Sequence, residues 1–84
     1  DIAAQATRAL ENVKTALAAA GATIEDVVQW TVLFLDGVDV AAAYNAIGSE
    51  LASDEPALVT GARISGLGVP GALVEIGAVA AIVR

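Results

Sequence analysis

Glu75 is the residue of this 84-residue chain with the clearest capacity for chemistry, because of where it sits. It falls within the apolar stretch Ala72-Leu73-Val74-Glu75-Ile76-Gly77-Ala78-Val79, just after the glycine-rich connection Ser65 to Gly71. A carboxylate in such a strand must find a cationic partner, meet water or accept a proton, because a bare buried charge costs several kcal/mol. It is therefore a member of a structural ion pair or the working group of a site. Arg63 is the natural partner. If the last two strands form an antiparallel hairpin centred near Gly68, Arg63 lies opposite Leu73 and diagonal to Glu75, within side-chain reach.

Other residues with chemical capacity read more plainly. Gly66, Gly68 and Gly71 have no following helix and no Lys-Ser/Thr pair, so they read as a turn rather than a phosphate loop. Asp36 and Asp39 read as a turn residue and a helix cap, and Trp30 as core. Tyr44 and Asn45 sit near the buried edge of a predicted helix, where they pack or present polar atoms to a cleft. With no Cys and no His in the chain, thiol and imidazole chemistry, disulfides and ordinary zinc sites are excluded. No run has the spacing of a calcium loop. The net charge of −6 with four cations argues against a nucleic-acid partner.

The elements that position these groups follow from periodicity. Ala3, Ala6, Leu10, Val13, Leu17 and Ala20 recur at helical spacing, and Gly21 ends that helix. Val27 to Leu35 is rich in β-branched and aromatic residues and reads as a strand, apolar on both faces and so covered on both. A second helix starts near Asp39, carries Val40, Ala43, Tyr44, Ile47 and Leu51 as its stripe, and is closed by Ser53-Asp54-Glu55-Pro56. Two strands follow, about 57–64 and 72–83. The predicted order is α-β-α-β-β in a single domain spanning 1–84. At 57% apolar and 17% charged residues, the chain has more hydrophobic surface than a small monomer hides, and its apolar runs are far short of the roughly 20 residues that span a bilayer. The surplus points to a subunit interface rather than a membrane. The absence of a signal or transit segment fits a cytoplasmic location. Asp1 is not an initiating residue, so the chain is expected to be part of a longer protein.

Read in order, four stretches resemble the RidA family, also called YjgF or L-PSP endoribonuclease-like. They are Gln5-Ala6-Thr7-Arg8-Ala9-Leu10-Glu11-Asn12-Val13-Lys14, Ala19 to Val28, Thr31-Val32-Leu33-Phe34-Leu35-Asp36, and Pro70-Gly71-Ala72-Leu73-Val74-Glu75-Ile76 with Ala78-Val79-Ala80. The resemblance implies an α+β, chorismate-mutase-like fold, with helices on one face of a mixed sheet. It also implies a homotrimer with small-molecule sites at the subunit interfaces. About 40 further N-terminal residues, a β-hairpin and one wall of the site, are then expected upstream of Asp1. The activity implied is hydrolysis of reactive enamines and imines to a 2-keto acid and ammonia, with no metal or organic cofactor. A glutamate on the last strand positions the attacking water, and Glu75 matches it. The family's carboxylate-clamping arginine falls at Leu58 in Pro56-Ala57-Leu58, or at Thr60 if the following turn is longer. Neither can clamp a carboxylate, and Arg63 is the substitute to consider. The family's helix-two asparagine falls at Tyr44 without a gap and at Asn45 with a one-residue shift. Two expectations result: a divergent hydrolase using Glu75, and a non-catalytic member that binds a metabolite or partner in the same cleft. A ribonuclease role is disfavoured by the acidic balance and the lack of His.

Overall fold

The computed structural model describes residues 1–83. Helix α1 spans Ile2–Ala19, strand β1 Val27–Leu35, helix α2 Val40–Leu51, strand β2 Leu58–Ile64 and strand β3 Val74–Ala80, with a single 3₁₀ turn at Ile24–Asp26 before β1.

Local chemistry explains the boundaries. The Asp1 carboxylate accepts from the Ala4 amide at 2.8 Å and caps α1. At its other end Ala22 donates to the Leu17 carbonyl at 2.8 Å and Gly21 to that of Ala18 at 3.0 Å. This Schellman arrangement requires the positive φ of 80° that Gly21 adopts. Asp39 caps α2 by accepting from the Ala42 amide at 3.0 Å. The element order, the Gly21 stop and the Asp39 cap match the sequence expectation.

The sheet order does not. It is β2-β1-β3, with β1 parallel to β2 and antiparallel to β3. The expected β2–β3 hairpin is therefore absent, and residues 65–73 carry the chain from one sheet edge to the other. The physical reason lies in β1 and α2. A strand that follows a helical crossover returns parallel to the strand before it. β1, apolar on both faces, takes the central place and uses both of its edges. A turn-rich connection looks the same in sequence whether it closes a hairpin or crosses a sheet end.

The helices cover one face. Trp30, Val32 and Phe34 of β1, Val74 and Ile76 of β3, Ala6 and Leu10 of α1, and Ala43 and Ile47 of α2 form the buried core. The other face of β1 (Gln29, Thr31, Leu33, Leu35) is half-buried rather than covered. β2 is an edge strand, exposed from Leu58 to Arg63. Its Gly61 lies beneath Tyr44, where an added Cβ would come within 2.9 Å of the Tyr44 hydroxyl. Tyr44 in turn meets Phe34 edge-on, with ring centroids 5.4 Å apart.

That contact predicts a conditional cost. Gly61→Ala should destabilise the fold by about 1 kcal/mol, and by markedly less in a Tyr44→Phe background, where the obstructing oxygen is gone. Urea denaturation of the four proteins of the cycle measures the coupling; equal costs in both backgrounds would show that the hydroxyl is not the obstacle.

Candidate functional site

Side-chain alternation across the three strands decides which residues meet. Residues paired across a sheet share a face, and residues two apart along a strand follow them. Glu75 pairs with Leu33, which pairs with Ala62. The next row on the same face is Gly77, Thr31 and Thr60, and the third is Val79, Gln29 and Leu58. This is the face the helices leave open.

Glu75 is exposed there, not buried. Of the three outcomes open to a carboxylate in an apolar strand, it meets water. It lines an open depression of about 280 Å³ with Thr31, Leu33, Ile76 and Gly77. The space over Gly77 is open, since a Cβ added to it would meet no atom within 4 Å. Glu75 is the one ionisable group in that lining.

Arg63 does not reach it. It pairs with Phe34 and so points to the helical side, where its Nη1 donates to the Val38 carbonyl at 3.1 Å. Glu75 and Arg63 stand on opposite faces with β1 between them, so the ion pair drawn from a hairpin is overturned by the sheet order. Among the described residues the ion pairs are Arg8–Glu11 on α1 and Lys14–Glu50 between α1 and α2. Arg8, Lys14 and Arg63 all belong to the helical side of the molecule.

The remaining candidates are also dispersed. Tyr44 is half-buried over Gly61 on the helical side, and Asn45 is exposed on the outer side of α2. Thr60 and Leu58 share the open face with Glu75, but two strands away. From strand spacing and rise, Thr60 lies about 12 Å and Leu58 about 16 Å from it between Cα atoms. Leu58, 73% exposed, lines a separate open groove of about 620 Å³ with Glu25, Val28 and Pro56. Among the described residues no three carboxylates gather to hold a metal ion, and no helix is long and apolar enough to cross a membrane.

The residues that sequence reasoning missed are Thr31, Leu33 and Gly77. Their signal was present as parity, since Gly77 is two residues from Glu75 and Thr31 two from Leu33. It needed β1 rather than β2 as the neighbour of β3.

Known proteins share this fold. The family profile described as Endoribonuclease L-PSP matches residues 1–82. A solved structure from Mycobacterium tuberculosis, of the YjgF family, superposes with TM-score 0.85 at 35% identity over 98% of this chain and 69% of its own. RidA from the Antarctic bacterium Psychrobacter gives 0.78 at 30% identity over 92% and 61%. TdcF from E. coli, solved with bound serine, gives 0.82 at 27% identity over 99% and 66%. The chain thus spans about two thirds of the length of these structures. No curated protein matches it.

The separation of Glu75 from Arg63 predicts independence. Glu75→Ala and Arg63→Ala should act additively in chemical denaturation, with Glu75→Ala itself within about 0.5 kcal/mol of the parent. A coupling well above that would restore the ion pair.

Proposed function

The chain belongs to the endoribonuclease L-PSP family, the YjgF or RidA group, and from that premise we propose that it hydrolyses small imines or enamines with Glu75 as the group that positions the attacking water. The observation that carries this reading is the place of Glu75, a lone exposed carboxylate in an open depression with a glycine beside it. A carboxylate so placed can accept a proton from water as the oxygen adds to the C=N carbon of an imine, or of an enamine after its tautomerisation, and pass that proton to nitrogen to give a carbinolamine. Transfer of the hydroxyl proton to nitrogen then accompanies C–N cleavage, C=O formation and loss of ammonia. Water is both nucleophile and proton source, so neither thiol nor imidazole is needed.

The same face indicates the substrate class. It carries the Glu75 charge and no described cation, with Leu33, Leu58 and Val79 as apolar surface. Such a surface favours a neutral imine or a cationic iminium over an anion. Serine bound to TdcF supports a small amino-acid-derived molecule as the general kind of ligand for this fold. Leu58 in place of a cationic clamp argues for a substrate without a carboxylate.

The distance from Leu58 to Glu75 supports a site shared between copies. Each lines its own open concavity, and in the proposed assembly a head-to-tail association would bring the groove of one copy against the depression of the next. Closure after three copies gives the homotrimer. A second reading, binding without turnover, is favoured by Leu58 as well, because a site without its clamp can hold a ligand and leave it unreacted. A ribonuclease role has no support in the charge of −6.

Ammonia release from freshly generated 2-aminoacrylate and from an imine lacking a carboxylate tests the reading on the full-length protein. Turnover of the second compound should exceed that of the first, and should vanish in Glu75→Ala and fall in Gly77→Val, which puts a branched side chain into the depression beside Glu75. Leu58→Arg should raise efficiency toward 2-aminoacrylate by on the order of a hundredfold, the worth of a bidentate charged contact. Turnover that survives Glu75→Ala would discard the proposed role. No turnover of either compound by any of these proteins would favour binding alone.

A further inference from the structure

Gln5 makes a two-pronged contact that the proposed chemistry has not yet used. It lies in the first turns of α1, yet its side chain reaches residues 66 and 68 positions away in sequence. Its Nε2 donates to the Gly71 carbonyl at 3.1 Å, and its Oε1 accepts from the Leu73 amide at 2.8 Å. A primary amide matches this pair of groups in one orientation alone, because one partner is an acceptor and the other a donor.

The contact falls at a decisive point. Residues Val69 to Ala72 form a turn in which the Ala72 amide donates to the Val69 carbonyl at 3.1 Å. Pro70 takes its second position and Gly71, with φ of 83°, its third, the pattern of a type II turn. Immediately after it the Leu73 carbonyl accepts from the Leu35 amide at 2.9 Å, opening the ladder between β1 and β3. Leu73 is thus held from one side by α1 and from the other by β1. Glu75 follows two residues later.

We propose that Gln5 is a positioning residue for Glu75, fixing the exit of the turn so that β3 enters the sheet with the carboxylate over the depression. The claim rests on the reading of Glu75 as the water-positioning group. Gln5 stands on the helical side and Glu75 on the open face, so Gln5 touches no substrate in that depression and acts through the backbone of residues 71–74. β3 is held on one edge only, by β1. A strand so held frays from its start when its first contacts are lost, and water positioning by a carboxylate is sensitive to displacements of about 1 Å.

The test uses the full-length protein with Gln5→Met, which keeps the side-chain shape without either hydrogen bond, and Gln5→Glu, which keeps the acceptor and loses the donor. Amide exchange and chemical shifts by NMR are read first, because they do not depend on any assumed substrate. The Leu73 amide should exchange about tenfold faster or more in Gln5→Met. The backbone and carboxyl signals of Glu75 should move, while amides at the centre of β1, such as Val32, keep their protection. If imine turnover is present, kcat should fall by about 10- to 100-fold with KM changed by less than about twofold. Gln5→Glu should lie between the parent and Gln5→Met in both readouts. If Gln5→Met proves too unstable to study, Gln5→Glu carries the same comparison.

Leu73 protection and Glu75 signals that stay at parental values in both variants would overturn the proposal, whether or not the protein turns over imines. A kcat that holds while the Leu73 amide loosens would overturn it too, by showing that the clamp is structural. Moved Glu75 signals in a protein with no imine turnover would support the positioning role and count against the hydrolase reading alone.

Discussion

Strand β1 is hydrogen-bonded along both edges and buried on one face, and the rest of the molecule is arranged around that fact. Once Trp30, Val32 and Phe34 face the helices, the period of two commits Gln29, Thr31, Leu33 and Leu35 to the other side. The neighbouring strands inherit the assignment through register. Glu75 lies on the open face because it pairs with Leu33, and Arg63 on the helical face because it pairs with Phe34. A slip of one residue in either ladder would exchange the two sides. In the β1–β3 ladder the slip would drive Glu75 into the apolar core and lift Val74 and Ile76 out of it, so burial of the core holds the carboxylate at the surface.

This arrangement leaves a small protein with an incompletely covered sheet. The helices bury one side well, down to fully enclosed Val32, Ala43 and Ile47. On the other, Val79 is 57% and Leu58 73% exposed. The described residues place no third layer over them. Polar insertions limit the apolar area: Gln29, Thr31, Thr60 and Glu75 interrupt it. The open face is accordingly both an apolar surface suited to association and the surface carrying the candidate chemistry, and in the proposed assembly a single packing event would cover the one and enclose the other.

Much of this could be read from residue types. The cap at Asp39, the Gly21 stop, the helical stripes and the β-branched run from Val27 were legible because each depends on nearby residues, whereas the Asp1 cap was not read. Glu75 stood out as a carboxylate within an apolar strand, and the family resemblance gave the α+β layering and matched Glu75 to the family's glutamate. Strand adjacency was not legible from local pattern. The turn Val69–Ala72 was visible as Pro70-Gly71, but a turn states that the chain reverses, not which strand it meets afterwards. Placing β3 beside β2 moved Arg63 next to Glu75, whereas placing it beside β1 separates them and brings Thr31, Leu33 and Gly77 to the carboxylate. Gln5 was hidden for a similar reason, since a single polar residue beside an apolar helical seam reveals its partner only when the far end of the chain folds onto it.

The spacing of the open face also bears on how the chemistry of such a chain can change. Glu75 is carried by β3, and its surroundings are set by β1 and by the turn before it. Position 58 begins β2, on the opposite edge of the sheet, and borders a different groove. Neither supports the other within one copy. A substitution at 58 that removes a charge leaves the registers of β1 and β3 as they were, because Leu58 is exposed and no core residue depends on it. Under the proposed hydrolase reading, the group that handles water and the group that selects the substrate's charge are mechanically separate. On the same reading, exchange of a cationic residue for leucine at position 58 would keep Glu75 in place, changing which imine is accepted without changing how water would be delivered to it.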